Sequence, residues 1–146
     1  MGERASWGGS SRHLKHGSWY IDAHMDNAQV TWPLFNSLQG FWPGMQLLLG
    51  EREMAVDTMR AFHALWRHLG FHPEGFNLAS MALQPGQLGY PLRPEHVESL
   101  FWAHRTTHAD EWLVAGADVF SRIAFGRAAH DWPETPAPAP VWGARP

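Results

Sequence analysis

Residues 51–70 read EREMAVDTMRAFHALWRHLG, and this stretch decides the fold. Acidic residues stand at its beginning, Arg67 and His68 stand at its end, and Gly70 follows, as expected for a helix with a favourable dipole and a glycine stop. Apolar side chains recur every three or four positions, namely Met54, Met59, Phe62, Leu65, Trp66 and Leu69. The pattern predicts an amphipathic helix from about Glu51 to Leu69.

The preceding segment predicts a helix from about Trp32 to Leu49. Pro33 suits a first helical turn, and Gly50 suits the position after a helix end. Pro43 and Gly44 interrupt the pattern and predict a kink or two short helices. One apolar face is expected to contain Leu34, Leu38, Phe41, Met45 and Leu48. With the helix over 51–69, this segment forms an antiparallel hairpin.

Two further helices are predicted, from Pro94 to about Arg105 and from about Asp110 to Phe125. The first has Val97, Leu100, Phe101 and His104 on one face, and the second is dominated by Trp112, Leu113, Ala115, Val119, Phe120 and Ile123. They form a second hairpin. Two helical hairpins in succession predict an all-α fold of the repeat-like α/α type.

The remaining segments are read as connections. Residues 71–93 contain six prolines and glycines and predict a long loop before the third helix, of the kind that lines binding sites. Residues 19–31 favour a short strand hairpin turning around Asp26 and Asn27. Residues 1–18 read as a flexible leader, residues 19–126 as the domain, and residues 127–146 as a Pro/Ala-rich tail.

Composition narrows the function classes. A chain of 146 residues forms at most one domain, and a net charge of −3 argues against a nucleic-acid partner, which needs a basic face. The absence of cysteine excludes disulfides and thiolate metal sites. No transmembrane segment is predicted, and residues 1–15 lack the apolar core of a secretory signal. Nine tryptophans serve either a core or sugar-binding surfaces.

The chemistry is concentrated in residues 89–100, GYPLRPEHVESL. Glu95 and Glu98 lie three apart in the first turn of a predicted helix and therefore project from one face, with Arg93 just before them. The positive end of the helix favours ionised carboxylates, which suit a general base or a cation ligand. Acidic residues in a first helical turn are also ordinary features of helix starts.

Three ordered motifs resemble class I α-1,2-mannosidases, glycoside hydrolase family 47. Residues 90–99, YPLRPEHVES, resemble the family signature LRPE-x-x-ES. Residues 37–46, SLQGFWPGMQ, resemble the SLQAFWPGLQ segment of the branch that enhances degradation in the endoplasmic reticulum, the EDEM branch. Residues 73–77, PEGFN, resemble that family's PExYN loop and lie between the other two. The resemblance covers about residues 19–126.

The resemblance implies part of an (α/α)7 barrel and calcium-dependent, inverting hydrolysis of mannose from N-glycans. It implies that Glu95 is the base-side carboxylate and that Glu98 supports the water shell of Ca2+. Arg93, Glu74 and Pro94 are implied to bind substrate. It further implies location in the endoplasmic reticulum, high-mannose N-glycans on misfolded glycoproteins as partners, and an oxidoreductase partner for the full-length protein. Glu95 and Glu98 are too close together to form the acid–base pair, which inversion separates by ~6.5–9.5 Å.

The chain departs from the family pattern in two places. The DSYYEYL-like segment that supplies acid-side carboxylates has no counterpart, and Thr106 and Thr107 stand in the wrong context for the calcium-binding threonine of the final strand. The chain is therefore expected to be inactive alone. Two alternatives remain: a non-catalytic mannose-glycan binding module of quality control, and an inert truncated gene product. His104 and His108 have metal-ligand spacing, but without a third ligand they favour a solvated surface.

Overall fold

The structure, a computed structural model, describes residues 14–125. Four α-helices account for about half of this range: α1 (Trp42–Leu48), α2 (Arg52–Leu69), α3 (Glu95–Thr107) and α4 (Glu111–Ala124). The four predicted helices are thus confirmed. Most of the predicted leader and all of the predicted tail over residues 127–146 lie outside the described residues.

The first helix begins later than the prediction of Trp32. A 3-10 helix over Ser37–Phe41 leads directly into α1, so the interruption at Pro43 and Gly44 is a junction between two short helices. Asn36 starts the 3-10 helix because its side chain accepts a hydrogen bond from the Leu38 amide at 2.8 Å, while Gln39 bonds back to the Asn36 amide. This reciprocal cap fixes the start more strongly than apolar spacing does.

The expected all-α class is wrong in part. The described residues also contain seven short strands in three small antiparallel sheets. Strands β1 (Lys15–His16) and β2 (Trp19–Tyr20) form one pair, and β3 (Asp22–Ala23) and β4 (Val30–Trp32) form the hairpin predicted around Asp26. The third sheet joins β5 (Leu34–Phe35), β6 (Phe76–Asn77) and β7 (Ala82–Leu83).

The third sheet explains the predicted loop. Residues 71–93 contain β6 and β7, and β6 pairs with β5 ahead of the first helical segment. The fold therefore anchors this connection with backbone hydrogen bonds, which local pattern could not reveal because the partner strand lies about forty residues earlier. This pairing brings the segment around Glu74 to the segment around Asn36.

Helix α2 lies at the centre and buries two faces. One face, with Ala55, Met59 and Trp66, packs into a cluster with residues of α1, α3 and α4. The other, with Phe62, Leu65 and Leu69, packs on Phe35 and Phe76 of the third sheet. Met59, Phe62 and Trp66 have no exposed surface, so the stripe predicted from residues 51–70 is confirmed as core except at Met54, which is half-buried.

The predicted faces of the other helices are only partly correct. Leu48 in α1, Phe101 in α3 and Phe120 in α4 are 65%, 56% and 69% exposed. On α1 and α3 the packed faces also contain small or polar residues, among them Gly44, His96, Ser99 and Ala103. Other predicted face residues are buried as expected, namely Leu100, Trp112, Ala115 and Val119. In the part of the chain that the structure describes, no helix is long and apolar enough to cross a membrane.

Candidate active site

The site is organised around the Glu74 carboxylate. Arg93 donates from Nε to Oε1 of Glu74 at 3.1 Å and from Nη2 to Oε2 at 3.2 Å, which is a two-pronged ion pair. The two side chains are 35% and 29% exposed, so the pair lies at the edge of solvent. The LRPE motif and the PE loop, both singled out in the sequence, therefore meet in space.

The third motif reaches the same carboxylate. Ser37 donates its hydroxyl to Oε1 of Glu74 at 2.7 Å, and its backbone amide donates to the Pro73 carbonyl at 3.0 Å. Asn36 adds a bond from Nδ2 to the Glu74 carbonyl at 2.8 Å. Three segments that are far apart in sequence thus converge on one acidic residue.

The charges of the pair reinforce each other. Hydrogen bonds from Arg93, and then from Ser37, lower the pKa of the Glu74 carboxyl, and the carboxylate in turn raises the pKa of Arg93. Glu74 is therefore ionised at neutral pH and is an acceptor only. It cannot serve as a proton donor to a leaving group in this arrangement.

Glu95 occupies the first position of α3, as predicted. Its Oε2 atom is buried and has no hydrogen-bond partner among the described residues. Its negative charge contributes, after burial, to raising the pKa of Tyr90, whose hydroxyl donates to the Arg93 carbonyl at 3.0 Å. A buried acceptor without a partner is costly.

The start of α3 is held tightly against the preceding helices. Ser99 donates its hydroxyl to the Gly40 carbonyl at 2.6 Å and accepts from the Gly44 amide at 3.0 Å. A Cβ atom on Gly40 would lie 2.9 Å from the His96 backbone nitrogen, and one on Gly44 would lie 2.9 Å from the Ser99 hydroxyl oxygen. Glycine at both positions permits the contact that places Glu95.

A histidine cluster lies behind this helix start. His96 is fully buried, stacks on Trp66 with ring centroids 5.6 Å apart, and has its Nε2 3.3 Å from Nδ1 of His63. His72 lies beside it, with ring centroids 4.4 Å apart, and bonds to the Phe62 carbonyl at 2.7 Å. Burial lowers the pKa of His72 to about 4 and that of His96 well below its ordinary value. These rings are therefore neutral at pH 7.

The remaining predicted residues are close by. Pro94 caps α3 and is exposed, and its carbonyl accepts the amide of Glu98, whose own side chain is exposed one turn beyond Glu95. Calcium takes 6–8 oxygen ligands. In residues 14–125, no group of three or more His, Asp or Glu side chains could hold a metal ion. The donor set of this segment does not by itself fit a complete calcium site.

An open cleft lies on the loop side of Glu74. It has a volume of ≈ 510 Å³ and is lined by Asn36, Glu74, Gly86, Gln87, Gly89, Tyr90 and Pro91. Neither Glu95 nor Arg93 lines it. The cleft therefore lies along Glu74 and the loop and is not centred on the predicted catalytic carboxylate.

Most of the chain matches one family of known proteins. The family model described as glycosyl hydrolase family 47 matches residues 9–129. The chain belongs to glycosyl hydrolase family 47. This family's α-mannosidases are glycosidases, and the chain is classified with them.

Named family 47 relatives agree. Over 115 residues the chain is 45% identical to "Alpha-mannosidase I MNS4" of Arabidopsis thaliana. The aligned region covers 79% of this chain and 18% of that protein. The chain is 32% identical over 111 residues to the human "ER degradation-enhancing alpha-mannosidase-like protein 2", covering 76% and 19%. A Schizosaccharomyces pombe protein of the EDEM-like type is 29% identical over 123 residues, covering 80% and 15%. The chain thus spans less than a fifth of the length of these relatives.

Reasoning from sequence missed three contributors to the site. Ser37 and Ser99 lie within the motifs without a predicted role, and the sequence does not predict that His63, His72 and His96 cluster. The capping pattern of Asn36 and Gln39 was available as a signal for the true helix start. The contacts of Ser99 and of the histidines are long-range, and a single sequence holds no signal for them.

Proposed function

We propose that this segment supplies the base-side carboxylate and part of the sugar-binding wall of an α-1,2-mannosidase that trims N-glycans in endoplasmic-reticulum degradation. The supporting observation is the meeting of Ser37, Glu74 and Arg93 beside Glu95, whose Oε2 is buried without a partner. Side chains from all three family motifs thereby surround one small region. Endoplasmic-reticulum location and misfolded glycoproteins as substrates are part of this proposal and rest on the names of the relatives.

The proposed role of Glu95 is to accept a proton from the attacking water. A base needs an oxygen that is free to accept a proton, and Glu95 Oε2 has no hydrogen-bond partner among the described residues. Inversion places a second carboxylate across the sugar, ~6.5–9.5 Å away. Glu74 cannot be that acid because it is held ionised by Arg93 and Ser37. We assign the acid-side group to the family's DSYYEYL-like segment, which has no counterpart in this chain.

The proposed roles of Arg93 and Pro94 concern the substrate. Arg93 has five N–H donors, and Glu74 occupies two of them, so three remain for sugar hydroxyls. Pro94 sets the backbone entry into α3. Calcium belongs to the proposal only for a longer family member, with Glu98 contacting its water shell, because the described residues lack a complete ligand set.

A chimera tests the proposal. Residues 19–125 replace the matching stretch of the full-length Arabidopsis relative, and free mannose is measured from a high-mannose glycan. We expect the chimera to release mannose and Glu95→Gln to reduce release by at least ~10²-fold, the lower range for loss of a positioned base. Glu53→Gln, on the exposed start of α2, is the matched control and should leave release unchanged. Full activity of the Glu95→Gln chimera would remove Glu95 from this role.

The alternative of a glycan-binding module without turnover makes a different prediction. A binding module keeps its affinity for mannose when Glu95 is changed to Gln but depends on Arg93. Isothermal titration of the chimera with a mannose disaccharide measures binding, and the free-mannose assay measures release, so the two measurements together separate the module from the enzyme. Binding without release, in a chimera that carries wild-type Glu95, would favour the module.

A further inference from the structure

Ser37 is buried and has a contact that neither its motif nor the family assignment explains. It is 1% exposed, and its hydroxyl lies 2.7 Å from Oε1 of Glu74. The same oxygen accepts the Nε–H of Arg93 at 3.1 Å. One carboxylate oxygen thus receives a buried hydroxyl on one side and a guanidinium on the other.

This geometry restricts rotation of the Glu74 carboxylate about the last torsion of its side chain. The last torsion of a glutamate side chain has a broad, roughly two-fold energy profile, so an unrestrained carboxylate swings readily. A bidentate carboxylate–guanidinium pair is planar, and the orientation of one partner sets the orientation of the other. A hydrogen bond that stops the Glu74 carboxylate from turning therefore also fixes the plane of Arg93.

We propose that Ser37 is a positioning residue that holds the Arg93 guanidinium in a fixed plane through the Glu74 carboxylate, so that its free N–H groups face sugar hydroxyls. Two further hydrogen bonds hold the backbone of these segments together. The Ser37 amide donates to the Pro73 carbonyl at 3.0 Å, and the Asn36 side-chain amide donates to the Glu74 carbonyl at 2.8 Å. The sugar-facing part of this inference rests on the proposed function, whereas the Ser37–Glu74–Arg93 linkage does not.

Nuclear magnetic resonance on the 146-residue chain tests the linkage directly. The readouts are the pKa of the Glu74 carboxyl, followed by its side-chain carbon, and the exchange rate of the Arg93 Nε–H with water. In Ser37→Ala we expect the Glu74 pKa to rise and the Nε–H exchange to become about tenfold faster, since one hydrogen bond to a charged group is lost. Ser37→Thr keeps a hydroxyl and should restore both values.

Two controls separate positioning from general destabilisation. Ser121→Ala removes an exposed hydroxyl that bonds within α4, and it should change neither readout. Ser37→Cys keeps nearly the same volume but offers only a weak donor. It should shift both readouts in the same direction as Ser37→Ala, and it serves if that variant does not fold. Unchanged Glu74 and Arg93 readouts in a folded Ser37→Ala or Ser37→Cys protein would overturn the proposal.

Kinetics in the chimera test the sugar-facing part. Ser37→Ala should raise the KM for glycan about tenfold while kcat changes less, because Arg93 binds the sugar before and during the reaction. An unchanged KM alongside shifted resonance readouts would overturn the sugar-facing part. A chimera that is inactive with wild-type Ser37 would instead count against the proposed function, and the resonance result would still decide the linkage.

Discussion

The Ser99 hydroxyl donates to the Gly40 carbonyl at 2.6 Å and accepts from the Gly44 amide at 3.0 Å, and Ser99 has no exposed surface. Both glycine groups lie where the 3-10 helix joins α1, a place where regular helical hydrogen bonding is interrupted. One side chain on α3 therefore satisfies two backbone groups of another segment. It lies one turn after Glu95 and ties the position of that residue to the junction.

Replacing Ser99 with Ala should lower the free energy of unfolding by about 1–3 kcal/mol, because a buried carbonyl and a buried amide lose their partner. Urea unfolding followed by circular dichroism measures the change. Ser121→Ala is the matched control, since its hydroxyl is exposed, and should stay within about 0.5 kcal/mol of the wild type. Equal effects of the two substitutions would contradict the role given to Ser99.

Gly40→Ala should also destabilise the chain, for a steric reason. The added Cβ would lie 2.9 Å from the His96 backbone nitrogen and 3.3 Å from the Glu95 carbonyl carbon, so the start of α3 must move. Overpacking of this kind costs about 1–3 kcal/mol.

The control for Gly40 is Gly116→Ala in α4, where an added Cβ meets nothing within 4 Å. Alanine is the better helix former by about 1 kcal/mol, so this substitution should stabilise. Thermal unfolding of both variants gives opposite signs if the steric argument holds. A Gly40→Ala protein as stable as the wild type would show that α3 shifts without cost.

The helices could be predicted from sequence because their signals are local. The stripe from Met59 to Leu69 repeats at helical spacing, and Gly70 adopts the left-handed conformation, φ 85°, that its position after a helix predicts. The sheet of β5, β6 and β7 could not be predicted, since two-residue strands carry almost no periodicity. The apolar pattern does not predict the packed faces of the 3-10 helix and α1, because close contact at Gly40 and Gly44 depends on small size.

The residues of the site could be predicted from the sequence, whereas the long-range contacts between them could not. The motif resemblance placed Glu74, Arg93 and Glu95 near one another, but their bonding required coordinates. Arg93 stands just before Glu95 in the sequence, yet its two-pronged ion pair is with Glu74, nineteen residues earlier. Backbone hydrogen bonds within the loop bring the two together, since the Glu74 amide donates to the Gly89 carbonyl at 3.1 Å and the Gly75 amide donates to the Gln87 carbonyl at 3.1 Å.

Acid should destabilise the fold through His72. Its pKa is about 4 in the folded chain, against an ordinary value of 6.5, because burial disfavours the charged ring. Above pH 6.5 His72 is neutral in both the folded and the unfolded chain, and the free energy of unfolding has its full value. As pH falls from 6.5 towards 4, the unfolded chain binds a proton that the folded chain refuses, so stability declines.

The expected loss from His72 is about 2 kcal/mol by pH 5, since each unit of pKa difference corresponds to about 1.4 kcal/mol. His96, whose pKa is also lowered by burial, adds to the slope. Urea midpoints at pH 7.5 and pH 5 measure it. His72→Gln should flatten the dependence, and His68→Gln, at an exposed position, should not. Parallel slopes in wild type and His72→Gln would refute the assignment.

Calcium should bind this chain weakly, with a Kd above ~1 mM, the weak end for oxygen-ligand sites. Glu98 is exposed and adds one carboxylate to that of Glu95. Among the described residues, no group of three or more His, Asp or Glu side chains could hold a metal ion. Titration calorimetry with calcium chloride is the measurement, and Glu98→Gln should weaken even this binding. Micromolar affinity would mean that other oxygen atoms hold the ion.

The 146-residue chain on its own should release no detectable mannose from a high-mannose glycan. The proposed function assigns the base role to Glu95 and assigns the acid-side carboxylate across the sugar to no residue of this chain, and a positioned acid contributes about 10²–10⁴-fold. The chain also spans only 18% of its Arabidopsis relative, so most of the enclosing wall that orients the sugar is missing. Lost orientation removes several further kcal/mol, on the order of 7–11 at most. Free mannose is measured with calcium present, and the chimera with wild-type Glu95 is the positive control. Turnover by the isolated chain would show that the described residues hold a complete site, and would assign the acid role to a group other than the ionised Glu74.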